Sequence, residues 1–271
     1  MKRAVLPLIT LGLFAMVVAD RLSHALAPGA DAPAIQGPSD TRSATVELTR
    51  APAKGVPTPD AAPRPVVAPS TPTIDRLARL AARQQLSRTA GMTYLDSLIV
   101  STDSVLRRWP DRSGIPLRVA ILEGGPATYH PRMASFAREA FGRWESAGAG
   151  VQFTMISDTT SAEILVRWID HFDFDRAGQT DLTWDQAGRV RKAAVLLAIR
   201  TNTGLALPDA ALLTVAVHEA GHALGLPHSP DSNDVMFPAT QTGVLSERDR
   251  RTVQVLYQLP TGPVRDLAAT P

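Results

Sequence analysis

The segment that most constrains this 271-residue chain runs from residue 218 to residue 228 and reads HEAGHALGLPH. On a helix, His218 and His222 stand four residues apart and face the same way, so both imidazoles reach one ion. Glu219 lies three residues before His222 and shares that face, pointing beside the ion rather than at it. Gly225 takes a positive φ without steric cost, which ends the helix and turns the chain back. That turn lets His228 supply a third nitrogen. Three neutral nitrogens leave a tetrahedral zinc one open position for water. Zinc lowers the pKa of that water towards neutrality, and Glu219 is placed to take its proton. This is the chemistry of amide hydrolysis by attack of zinc-bound water.

The pattern is specific. Five fixed positions match by chance in about one chain in ten thousand of this length, by counting against the template. Composition removes the competing readings. The chain has no Cys, which excludes a disulfide scaffold, a thiolate zinc site and a Cys nucleophile. A closed structural zinc site takes four protein ligands, and neither a Cys nor a fourth nearby His is available. Lys and Arg number 28 against 26 Asp and Glu. Residues 1–72 hold seven basic and five acidic residues, which leaves 21 of each in the rest. The folded part is therefore neutral overall, and nucleic acid is not an expected partner.

Along the chain, Lys2 and Arg3 precede an uncharged apolar run over residues 4–19, interrupted by Pro7. With small-residue cleavage sites after Ala19 and Ala27, residues 1–27 read as an export signal or an uncleaved membrane anchor. Residues 28–72 are Ala/Pro-rich and read as a disordered linker or a removable pro-segment. Residues 73–112 read as helical. Ile74, Leu77, Leu80 and Ala81 supply an apolar stripe, and a second helix is predicted over 94–108, either packing on the next domain or inhibiting it. Strands are predicted over 116–122, 151–156 and 162–169, and a hairpin over 179–184 and 190–199. Helices are predicted over 131–147, 208–224 and 246–257, the last with Ser246 and Asp249 spaced as a capping box. The compact domain is placed at 113–260 and a tail at 261–271.

Eight residues after His228 comes Met236, inside the pentapeptide DVMFP at 234–238. Together, HEAGHALGLPHS and VMFP resemble the matrixin branch of the metzincins, the matrix-metalloprotease-like proteins, in a short form of bacterial appearance. LSERD at 245–249 and the residues up to 257 also resemble the last helix of that family. The resemblance covers about residues 115–259 and is strongest over 212–238.

It implies an α+β fold: a twisted mixed five-stranded sheet with one antiparallel strand, an active-site helix, and a small C-terminal subdomain holding a Met-turn and a final helix. By order, 179–184 becomes the antiparallel edge strand that binds extended peptide by strand addition, with 190–199 as its inner neighbour. The resemblance makes His218, His222 and His228 ligands of one catalytic Zn2+ and Glu219 the base. It makes Met236 an apolar floor under the zinc and Pro238 a wall of the pocket for the side chain after the scissile bond. Thr240 stands where the family often has an aromatic residue.

Three departures matter. Without Cys, the family's thiol-on-zinc latency is excluded. His171, with Asp173 and Asp175, superficially resembles part of the family's structural zinc and calcium sites. It precedes the hairpin, lacks the partner histidines and reads as a solvated loop, so structural zinc and calcium are not supported. No hemopexin-like domain is expected after Pro260, and His24 and His130 carry no assigned role. The expectation is an exported zinc metalloendopeptidase, secreted, periplasmic or tethered to a membrane through its N-terminus, monomeric, acting on polypeptide. The alternatives are a zinc-containing peptide-binding domain without catalysis and a narrow-specificity processing peptidase of the cell envelope.

Overall fold

The computed structural model describes residues 74–96, 105–112 and 114–264. The expected leader over 1–27 and the Ala/Pro-rich stretch over 28–72 lie outside those residues. Among the described residues, no helix is long and apolar enough to cross a membrane.

The elements are α1 (Ile74–Arg88), β1 (Val105–Leu106), β2 (Leu117–Ile121), α2 (Arg132–Glu145), β3 (Phe153–Ile156) and β4 (Ile164–Ile169). They continue with β5 (Gly178–Trp184), β6 (Val190–Ala198), α3 (Asp209–Ala223), α4 (Glu247–Gln258) and β7 (Gly262–Pro263). The main sheet has five strands in the order β3-β2-β4-β6-β5. The first four are parallel, and β5 pairs antiparallel with β6 at the edge, Thr180 opposite Val195. The chain is thus an α+β fold with the mixed sheet and the edge strand read from the sequence. Parallel neighbours need a crossover, and α2 supplies it between β2 and β3.

Period-2 patterning selects the strand faces. In β4, Ile164, Val166 and Trp168 are buried while Arg167 between them is exposed. In β5, Gly178, Thr180 and Leu182 face inward, with Gln179 and Asp181 less buried between them. α2 turns Met133, Ala137, Ala140, Phe141 and Trp144 inward at helical spacing. It packs on β3 and α3, and α3 in turn packs on β5 and β6. α4 begins as the sequence predicts: the Ser246 hydroxyl accepts from the Asp249 amide, and the Asp249 carboxylate accepts from the Ser246 amide, closing a capping box.

The N-terminal region differs from expectation in three ways. First, the apolar stripe of α1, read as either packing on the next domain or inhibiting it, is solvent-facing. Ile74, Leu77 and Leu80 are exposed, and Ala82 and Leu86 in its second half enter the core instead. Second, α1 ends at Arg88 and a loop follows, in which Tyr94 and Leu95 are buried. Tyr94 donates its hydroxyl to Asp249 Oδ1 of α4 at 3.0 Å, and its amide donates to Thr252 Oγ1 at 3.4 Å. Third, the helix predicted over 94–108 does not reach its end. Val105–Leu106 is a strand, antiparallel to Gly262–Pro263, and residues 97–104 lie outside the described set. Residues 262–264, assigned to a tail, therefore belong to the fold, and Val264 is buried. Helical periodicity over-read the second and third cases because the stabilising partners lie in α4 and at 262–263, far along the chain.

Leu95 is fully buried in the same core as Phe141 and Leu256. Leu95→Ala is expected to destabilise the fold by about 2–4 kcal/mol, measured as a lower denaturation midpoint. An unchanged midpoint would mean that residues 74–96 lie outside the cooperative unit.

Candidate metal centre

α3 is enclosed along its C-terminal two-thirds, where residues 214–223 are all buried. A helix enclosed in this way cannot leave its last carbonyls to water. Gly225, at φ +93°, closes a Schellman turn: the Leu226 amide donates to Gly221 O at 3.1 Å and the Gly225 amide to His222 O at 2.8 Å. The next two carbonyls are taken by distant side chains. Trp109 Nε1 donates to Ala223 O at 2.8 Å and Tyr257 Oη to Leu224 O at 3.2 Å. All four terminal carbonyls are paired. A Cβ at position 225 would lie 2.1 Å from the Arg107 carbonyl oxygen, so contact and dihedral both demand glycine.

Past this turn the chain doubles back and brings His228 to His218 and His222. The three residues offer ligand atoms that all lie within 4.8 Å of one another. His218 Nε2 is 3.0 Å from His222 Nε2, which is 3.2 Å from His228 Nε2. Behind the cluster, His218 Nδ1 donates to Val235 O at 2.7 Å and His222 Nδ1 to Leu226 O at 2.8 Å. A carbonyl oxygen only accepts, so each Nδ1 carries the ring proton and each Nε2 presents a lone pair.

Two lone pairs 3.0 Å apart repel unless a proton or another cation lies between them. Burial disfavours the proton. It holds His218 well below the ordinary imidazole value and pushes His222 down to about 3, and the neighbouring imidazoles add repulsion in the same direction. A metal ion answers the arrangement. Tetrahedral zinc with Zn–N near 2.0–2.1 Å sets its nitrogens about 3.3 Å apart, close to the observed spacings. The backbone carbonyls of Val235 and Leu226 then act as the outer partners that fix ring orientation.

Met236 is fully buried and lies against α3 at Gly221, where a Cβ would come within 2.4 Å of its sulfur and 2.8 Å of Trp144 Cζ2. Trp144 Nε1 donates to Val217 O at 2.7 Å and pins α2 to α3 beneath the cluster. The segment before Met236 is held by α4: Val235 N donates to Asp249 Oδ2 at 2.8 Å. Asp234 is buried and accepts from Ser246 Oγ at 2.7 Å, Arg248 Nε at 2.7 Å and the Ser229 hydroxyl.

Glu219 is fully buried, and its Oε2 accepts a hydrogen bond from Thr180 Oγ1 of β5 at 2.6 Å. The same hydroxyl lies 3.1 Å from the Glu219 carbonyl oxygen. Beside the site, a cavity of about 420 Å³ is bordered by Ala211 and Thr214 of α3, Leu207, Ala177 and Thr240. Pro238 is half-buried and is not among the residues lining that cavity, which include Thr240 and Gln241. His171 is exposed and pairs with Asp170 at 2.9 Å, away from the histidine cluster, which is the sole metal-capable group of this kind among the described residues.

Sequence reasoning missed Thr180, Gly178, Trp109 and Tyr257. For the first two, a signal existed in the alternation of β5, which puts positions 178, 180 and 182 on its inner face. For the two aromatic residues, no local signal exists, because each caps a helix end far away in the chain.

The family model described as Matrixin matches residues 108–258, more than half of the chain. Interstitial collagenase A of Mus musculus is 40% identical over 63 residues, 22% of this chain and 14% of that protein. Matrix metalloproteinase-15 of Homo sapiens is 48% identical over 56 residues, 19% of this chain and 8% of that protein. Macrophage metalloelastase of Oryctolagus cuniculus is 50% identical over 54 residues, 18% of this chain and 12% of that protein. The chain spans no more than 14% of the length of these relatives. The family match runs from Arg108 to the end of α4, so the whole sheet, α3 and the histidine cluster fall inside it: the chain belongs to the matrixin family.

Proposed function

We propose that this protein is a zinc-dependent endopeptidase that hydrolyses peptide bonds in extended polypeptide. The observation that carries the reading is the convergence of three imidazoles with a buried carboxylate, Glu219, on the same helix. His218, His222 and His228 would hold the metal through Nε2. When bound, zinc supplies a Lewis acid for the scissile carbonyl and lowers the pKa of water it binds. Glu219 takes a proton from the attacking water and returns it to the amide nitrogen as the C–N bond breaks, so one carboxylate serves as base and then as acid. Burial of Glu219 on α3 keeps bulk water from competing for that proton.

The substrate class follows from β5. It pairs with β6 on one side only, and its outer edge has no strand partner among the described residues. An extended peptide completes such an edge through main-chain hydrogen bonds, which recognise backbone before side chains.

Digestion of a random peptide library tests the assignment. Broad internal cleavage is expected. No cleavage by zinc-loaded protein would favour a binding module, and a single tight consensus would favour a processing peptidase. His222→Ala is expected to lose both zinc and activity, whereas Glu219→Gln keeps zinc and loses about 100- to 10,000-fold in kcat. Full zinc occupancy in His222→Ala would overturn the ligand set.

The histidines also set a pH dependence. The folded pKa values of His218 and His222 lie below the unfolded value of about 6.5, so the unfolded chain binds protons first as pH falls. Stability is therefore fully present above pH 6.5 and is lost as pH drops from there towards the depressed value of about 3 for His222. The slope is about 1.4 kcal/mol per pH unit for each such histidine. Denaturant titrations at neutral pH and at two mildly acidic values check this. A flat profile across that range would contradict it.

A further inference from the structure

The base and the strand offered to substrate are joined by a contact that the reaction scheme above does not use. Thr180 sits on the inner face of β5, almost completely buried, and is held in register opposite Val195 of β6. Its Oγ1 lies 2.6 Å from Glu219 Oε2, a length typical of hydroxyl donation to a charged oxygen. The hydroxyl has one proton and two candidate acceptors. The carboxylate is nearer and the stronger acceptor, so the proton goes to Oε2, with the Glu219 carbonyl at 3.1 Å a secondary contact.

Two residues earlier on the same face stands Gly178. A Cβ there would lie 2.4 Å from Glu219 Oε1, 2.6 Å from Cγ and 2.7 Å from Cδ, distances that real Cβ contacts do not reach. The backbone at Gly178 needs no unusual dihedral, so the glycine is required by the approach of the carboxylate and not by the turn of the chain. Gly178 and Thr180 thus act on the two carboxylate oxygens separately. Thr180 ties down Oε2, and Gly178 leaves the space in which Oε1 rests.

We propose that Thr180, with Gly178, is a positioning residue for Glu219, fixing the orientation of its carboxylate by the hydrogen bond to Oε2 and by the clearance that Gly178 leaves beside it. The proposal rests on the assignment of Glu219 as the base. A strand that offers its outer edge to a peptide and its inner face to the base refers both to one backbone. The register of an added peptide then determines where its carbonyl stands relative to the Glu219 carboxylate, to within the tolerance that proximity effects demand.

The alternative is that Thr180 only fills space and satisfies a carbonyl in the core. Kinetics of Thr180→Ala, Thr180→Ser and Gly178→Ala, with zinc affinity from chelator competition, separate the two. Thr180→Ala is expected to lower kcat about 10- to 100-fold with KM within about twofold, because a hydrogen bond to a charged group is lost at the reacting step. Thr180→Ser keeps the hydroxyl and is expected to stay within about threefold of the wild type. Gly178→Ala is expected to lose kcat as Thr180→Ala does, and it carries the test if Thr180→Ala does not fold. Zinc affinity is expected to be unchanged in all three. Wild-type kcat in Thr180→Ala, a loss that Ser does not restore, or weakened zinc binding would overturn the positioning role. Zinc-loaded wild type that cleaves no peptide would instead overturn the proposed activity, and this role with it.

Discussion

A helix whose end is buried must find a donor for each carbonyl there, and much of this structure is organised by how α3 does so. Two donors come from the Gly225 turn itself and two from side chains at Trp109 and Tyr257, before the sheet and in the final helix. The cost of one buried, unpaired carbonyl is about 1–3 kcal/mol, comparable to a large part of a domain's net stability. The helix end that carries His222 is thereby clamped by three separate stretches of chain. The turn that pairs the carbonyls is also the turn that delivers His228 and presents the Leu226 carbonyl to His222. Folding economy and ligand geometry are served by the same few atoms.

A second clamp works from the opposite side of the histidine cluster. Asp249, buried in the first turn of α4, accepts from the amides of Val235 and Ser246 and from the Tyr94 hydroxyl. Burial pushes its carboxyl above the usual range, although the amide donors pull the other way. Val235 passes the constraint on, since its carbonyl receives the His218 Nδ1 proton. Both helical histidines are therefore oriented by backbone carbonyls whose own positions are fixed by residues outside α3. Such outer partners set which ring nitrogen is free, and so whether the ring can act as a ligand at all.

The site was legible in the sequence because its information is local. HEAGHALGLPH places two side chains by helical spacing and a third by a glycine turn, and no distant partner is needed to read it. The hairpin and the strand segments were legible for a related reason, as period-2 runs separated by turn residues, whereas the edge position of β5 came only from the family resemblance. What was not legible depends on pairings across the chain. The apolar spacing of Ile74, Leu77 and Leu80 describes a helix but not which face meets the core, and the structure leaves those three exposed. Val105 and Leu106 lie in a stretch with helical periodicity, yet Gly262 and Pro263 offer them a strand partner. Thr180 is an ordinary strand residue until Glu219 is placed beside it.

The burial of Tyr94 and Leu95 bears on where this unit begins. Similarity to the matrixins starts at residue 108, but the core that contains Leu256 of α4 also includes Leu86, Leu95 and Leu106, all upstream of that point. A boundary drawn from resemblance and a boundary drawn from buried area thus disagree by one helix and a loop. For this chain, the buried core therefore extends upstream of the family match, to the residues around Leu86 and Leu95.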